Sequence, residues 1–173
     1  MKTNQKPMIV TAAAVLVLSG CASQPQNAEE FRKFVGGVPM GKVETFEANR
    51  PFREVAKTFQ AKAAECFNTS VRTVSQTGTV MRNVRDTYKP TVLITDKKAE
   101  LHVQRHSEGP AMTMVGKEPP GGFYVFVADA APAGSNKTRI DTYGTSIGVD
   151  ALYRGVKGWA TGQNLGCPDM TKN

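Results

Sequence analysis

Histidine, cysteine and tryptophan are scarce in this 173-residue chain, with two, three and one copies. The histidines, His102 and His106, sit in a segment that alternates as a strand. At about 3.3 Å per residue they stand roughly 13 Å apart, too far for one ion held at about 2.1 Å, and they read as exposed groups on a strand edge. C-x-x-C is absent, and no histidine lies close in sequence to Cys66 or Cys167, so no metal is expected. G-x-S-x-G, H-E-x-x-H, G-x-G-x-x-G and the P-loop are missing as well. No catalytic residue and no cofactor is therefore expected, and the chain reads as a non-enzyme. No acidic residue precedes Glu29, although the chain carries 15 of them against 22 Lys and Arg, for a net charge of +7. Long apolar runs are missing too. The longest, residues 8–18, is broken by Thr11 and falls well short of the roughly 20 residues that cross a bilayer as a helix. What remains is 40% apolar and 21% charged, enough for one packed domain and incompatible with wholesale disorder.

The N-terminus is the most specific stretch. Lys2 and Lys6 precede the apolar run, and small Ser19 and Gly20 precede Cys21, the layout of a secretory signal. Leu18-Ser19-Gly20-Cys21 resembles the lipobox of bacterial lipoproteins. That resemblance implies a signal peptide over residues 1–20, a diacylglycerol thioether on Cys21 and acylation of the new amine. Several acyl chains make a stable anchor where one holds only marginally. Ala22 and Ser23 follow in place of the Asp that commonly retains such proteins at the inner membrane, so the resemblance favours the periplasmic face of the outer membrane. Nucleic acid is the wrong partner for an exported chain. Anionic lipid, lipopolysaccharide, peptidoglycan or an envelope protein fits the basic residues Arg72, Arg82, Arg85, Lys89, Lys97, Lys98 and Arg105 better. With Cys21 lipidated, Cys66 and Cys167 form an even pair in an oxidising compartment, which makes a disulfide between them the default reading.

Residues 21–41 read as a tether that carries one short helix. Asn27 and Glu30 form a variant capping box, and Phe31, Phe34 and Val35 share a face. Phe31 and Phe34 are candidate docking residues, for a membrane or partner on one reading and for the protein's own domain on the other. A single domain is expected over residues 42–173. A short strand at 42–46 leads to a helix through Phe67, with a stripe of Phe52, Val55, Phe59, Ala63 and Cys66. Strand patterns then cover 69–77, 79–88, 91–95, 99–105, 111–115, 123–128 and 137–143. A last helix, capped by Thr145 or Ser146, runs to Ala160 and presents Ile147, Ala151, Leu152, Val156 and Trp159. Gly155 and Gly158 within it point to close packing on the sheet.

This order predicts an α+β fold: a single antiparallel sheet of about six to eight strands, a helix near the N-terminus and a C-terminal helix packed on the sheet. The layout resembles helix-grip domains, which occur in lipid-binding proteins and in an accessory lipoprotein of the outer-membrane barrel-assembly machinery. Two functions follow as expectations, ahead of a third, a periplasmic enzyme, which would need polar side chains to converge in a cleft. The first is a non-catalytic envelope accessory or interaction module. The second is a carrier of a lipophilic ligand in a pocket lined by Met112, Met114, Phe123, Phe126 and Trp159.

Overall fold

The computed structural model describes residues 24–77, 80–108 and 117–171, with no side-chain description over 75–82. The expected lipobox and Cys21, the strand expected at 111–115, and Met112 and Met114 lie outside the described residues. The elements are α1 (Ala28–Gly37), β1 (Gly41–Ala48), α2 (Phe52–Cys66), β2 (Thr69–Thr77), β3 (Val80–Ile94), β4 (Ala99–Glu108), β5 (Phe123–Pro132), β6 (Thr138–Thr145) and α3 (Asp150–Ala160).

Among the described residues all strand pairs are antiparallel, in one open six-stranded sheet ordered β1-β6-β5-β4-β3-β2. This is the α+β arrangement expected from the sequence. β2 to β6 form a meander, and β1 closes against β6, so β1 and β2 occupy opposite edges. The chain must cross five strand spacings between them, about 24 Å at roughly 4.8 Å each. The 15-residue α2 makes that crossing, being about 22 Å long at roughly 1.5 Å per residue.

Alternation along the strands gives the sheet two unlike faces. On one, Leu101, Val103, Phe126, Ala128, Ala130 and Ile140 pack with α2 and α3 into the main core. Phe67 at the end of α2 meets Trp159 of α3 at 4.8 Å between rings, and Tyr153 of α3 stands edge-on to Phe126 at 5.0 Å. The Tyr153 hydroxyl donates to the Lys42 carbonyl at 2.6 Å and fixes α3 to β1. The disulfide between Cys66 and Cys167, with Cα atoms 5.0 Å apart, ties the end of α2 to the tail beyond α3. The opposite face carries α1, so the molecule has three layers, α1, sheet and α2 with α3.

Several expectations need correction. The segments 79–88 and 91–95 are one strand, β3. Pro90, between them, lies beyond Tyr88, where β2 has ended and β3 is an edge, so the ladder does not need its missing N–H on that side. α3 begins at Asp150 after Val149, not at Thr145 or Ser146. Gly148, at φ +79°, turns the chain out of helical geometry, and Ile147 before it is 67% exposed. Gly155 and Gly158 approach other groups than the sheet: a Cβ on Gly155 would meet Pro168 and Phe67, and one on Gly158 would lie 2.1 Å from Leu165. The last correction concerns α1. Residues 24–41 are not a free tether, because Phe31 and Val35 are buried with Val127 against the sheet.

Candidate functional site

Period two along β4 sends Leu101 and Val103 into the main core and turns Glu100, His102, Gln104 and His106 toward α1. The neighbours on that face are Tyr124, Val127 and Asp129 of β5 and Tyr143 of β6. α1 lays Ala28, Phe31 and Val35 over Val127, with half-buried Phe34, Tyr124 and Tyr143 around them. The helix starts where the sequence placed it. Glu30 donates its N–H to Asn27 Oδ1 at 2.9 Å, while its carboxylate accepts from the Gln26 N–H at 2.8 Å.

Between the apolar residues of α1, Arg32 reaches down to the sheet. One guanidinium nitrogen donates to Glu100 at 2.7 Å and to Asp129 at 2.6 Å. Lys98 Nζ approaches the same carboxylates at 2.8 and 3.4 Å, and His102 Nε2 lies 3.0 Å from Glu100. Burial pushes the Glu100 carboxyl up, but hydrogen bonds from Lys98, Arg32 and His102 outweigh it and hold its pKa down at about 2. The network is a clamp. It neutralises two carboxylates that a bare sheet face would carry, and it fixes α1 at its centre. His102 is consequently no exposed edge residue: β4 is an interior strand and His102 is buried beside Tyr124. His106 is exposed and pairs with Glu118 at 2.6 Å.

The start of α1 is pinned as well. Pro25 is buried, and Gln26 Nε2 donates to the Lys117 carbonyl at 2.9 Å. The 117–122 segment is in turn held on β4, because Gln104 Nε2 donates to the carbonyls of Pro120 and Gly122 at 2.9 and 2.8 Å. Gly122 has φ +111°, and a Cβ there would lie 2.5 Å from the Arg105 carbonyl carbon. Residue 24 therefore sits at the end of the sheet where β4 leaves and β5 begins. Only two residues, Ala22 and Ser23, separate it from Cys21, a span of at most about 11 Å. The free reach of about 20 residues implied by the sequence reading shrinks to that.

α1 covers only part of its face. Beyond it, β2 and β3 turn Ser70, Arg72, Val74, Arg85, Thr87, Lys89, Thr91 and Leu93 outward. Arg72 and Arg85 are directly paired across the strands, a like-charge juxtaposition that costs stability. Arg72 Nε donates to Asn83 Oδ1 at 2.8 Å, and no described carboxylate bridges the two guanidinium groups. Arg72, Asn83, Arg85 and Glu108 line a shallow hollow of about 350 Å³. Lys89 lines the next hollow with His106, Glu118 and Pro119, beside the pinned start of α1.

The sequence-selected residues divide accordingly. Phe31 is buried under α1 and Phe34 is half-buried at its rim, so docking on the protein's own domain describes Phe31. Phe126 and Trp159 are buried in the main core and line none of the hollows above, while Phe123 is half-buried at the start of β5. Lys98 belongs to the clamp, and Arg105 lies on the other face, 4.0 Å from Asp86. Arg32, Glu100 and Asp129 escaped the sequence reading. The signal for Glu100 was present in its alternation with Leu101, but nothing local points Arg32 at residues almost 70 and 100 positions away.

No protein-family model and no curated protein matches the sequence. A solved structure of a hypothetical protein from Helicobacter pylori is similar over 69% of this chain and 82% of that one, at 10% identity and a TM-score of 0.32.

Proposed function

We propose that the protein is a lipid-anchored envelope protein of the periplasmic face of the outer membrane, serving there as a non-catalytic accessory or interaction module. The observation that carries this reading is the pairing of Leu18-Ser19-Gly20-Cys21 with a helix α1 that is fixed on the sheet only a few residues further along the chain. An acylated Cys21 would hold the clamped α1 end of the sheet within about 11 Å of the bilayer surface. A domain so restrained works on what lies in or directly beneath the membrane: lipid, or an envelope protein embedded in it. The exposed sheet face beyond α1 supplies a broad, rigid surface for that work.

Metabolic labelling with a fatty-acid probe, followed by envelope fractionation, tests the reading. The wild-type chain should incorporate the probe and fractionate with outer membranes, and Cys21→Ser should abolish both. Persistent labelling of the Cys21→Ser chain, or an unlabelled wild type, would overturn it.

A further inference from the structure

We propose that the open half of the α1-bearing sheet face, built by Arg72, Arg85 and Lys89, docks on the anionic phosphate headgroups of the bilayer that carries the anchor. The inference rests on the anchored reading above and adds the surface and its ligand. Three observations converge on it.

The first is position. Gln26 is fixed to Lys117, and Lys89 lies with Glu118 and Pro119 around one hollow, so the chain emerges toward Cys21 beside this face. The two intervening residues leave at most about 11 Å between residue 24 and the lipidated cysteine, close to the Debye length of about 8 Å at physiological salt. Attraction between a surface cation and anionic lipid falls off over that same distance.

The second is charge. Arg72 and Arg85 are cross-strand partners on one face, and Lys89 follows four residues along β3 on the same side. All three side chains are exposed. Two acids lie beside this row: Glu108, the register partner of Arg85, lines the hollow of the two arginines, and Glu118, paired with His106, lines that of Lys89; Glu100 and Asp129 are already committed to Arg32 and Lys98. A like-charge pair held face to face by strand register is relieved by an anion that both guanidinium groups can reach, and a phosphate diester suits their forked donors.

The third is what surrounds the cations. Ser70, Thr87 and Thr91 are short hydroxyl side chains, and Ser70 and Thr87 are hydrogen-bonded to each other at 3.0 Å. They leave the long basic side chains as the most prominent groups. Val74 and Leu93, at 58% and 54% exposed, flank the row with apolar surface suited to the headgroup boundary. On the opposite face of the sheet α2 and α3 cover the main core.

The test uses the chain from residue 21 onward with Cys21→Ala, so that binding is not dominated by the lipid, and vesicles of phosphatidylcholine with or without about one-third phosphatidylglycerol. Two triple variants of equal net charge are compared. One removes the face (Arg72→Gln, Arg85→Gln, Lys89→Gln), and the other removes exposed cations of α2 and α3 (Arg53→Gln, Lys57→Gln, Arg154→Gln). Each membrane-facing cation is worth roughly fivefold, so the face variant should bind phosphatidylglycerol vesicles about 100-fold more weakly. The control should change less than twofold, and all three proteins should ignore pure phosphatidylcholine. Equal losses in the two variants, or no preference for the anionic lipid, would overturn the proposal. Fatty-acid labelling of the intact chain reports separately on the anchor: a labelled protein without the vesicle preference defeats this inference alone, and an unlabelled one defeats the reading beneath it.

Discussion

Replacing Phe31 with Ala tests whether α1 belongs to the folded domain. Phe31 is 3% exposed, its ring centroid is 6.2 Å from that of Tyr124, and it covers Val127, itself wholly buried. Truncating a fully buried Phe costs about 3–5 kcal/mol, transfer and cavity terms together. α1 is a single ten-residue helix at the margin of the sheet and can settle into part of the gap, which places the expected loss near the lower end, about 3 kcal/mol. In a chain of this size that lowers Tm by roughly 6–12 °C. Phe34, half-buried at the rim, should cost less than about 1 kcal/mol on the same change. Urea unfolding of the disulfide-intact chain measures the global effect, and amide exchange over residues 31–35 measures α1 by itself. The pairing of assays matters because α1 could open without the rest. A local weakening then speeds exchange at a constant midpoint, and a global one moves both. Unchanged midpoint and unchanged exchange in Phe31→Ala, or a larger effect from Phe34→Ala, would refute the assignment of Phe31 to the buried layer.

Three further outcomes follow from the same geometry. Glu100 has a folded pKa of about 2 against an ordinary 4.5, so its contribution is complete above the unfolded value and disappears as pH falls from about 5 toward 2. After discounting for its partial exposure, the stability gap between wild type and Glu100→Gln should be about 1–2 kcal/mol at pH 6, roughly a quarter of that at pH 2.5, and close to nothing below about pH 1.5; a gap that ignores pH would sink the clamp. Removing the disulfide as Cys66→Ala with Cys167→Ala opens a loop of 101 residues and should lower the unfolding free energy by about 2–5 kcal/mol, measured by denaturant midpoint against the oxidised parent. Gly122→Ala meets both a positive φ and the Arg105 backbone, so it should cost at least about 2 kcal/mol and loosen the 117–122 segment to limited proteolysis, whereas Gly134→Ala, at φ +136° in open space, should carry the backbone strain alone and cost less.

Local chemistry made much of the fold legible. The cap at Asn27, the 3.6-residue stripe of α2 and the period-two alternation of β4 and β6 are each written within ten to fifteen consecutive residues, and each reads out as the element it encodes. Errors gathered where a neighbour distant in sequence sets the outcome. Pro90 breaks a strand pattern locally, but β3 continues through it because β4 pairs along its length while β2 has already ended. Ile147 fits the apolar period of α3, yet the turn at Gly148 leaves it outside the helix and exposed.

The candidate site divides in the same way. By themselves the residues determined the antiparallel α+β class, the amphipathic face of α1 and the basic excess of the strand region, since propensity, period and charge are properties of short windows. Only the tertiary structure decided that α1 lies on the sheet instead of swinging on a tether. The reason is that Arg32 is neutralised by Glu100 and Asp129, and Phe31 is buried by Tyr124 and Val127, from strands about 70 to 100 residues further along the chain. The pairing of Arg72 with Arg85 was likewise fixed by register across the β2–β3 hairpin, because a shift of one residue would have sent one of the two side chains to the opposite face.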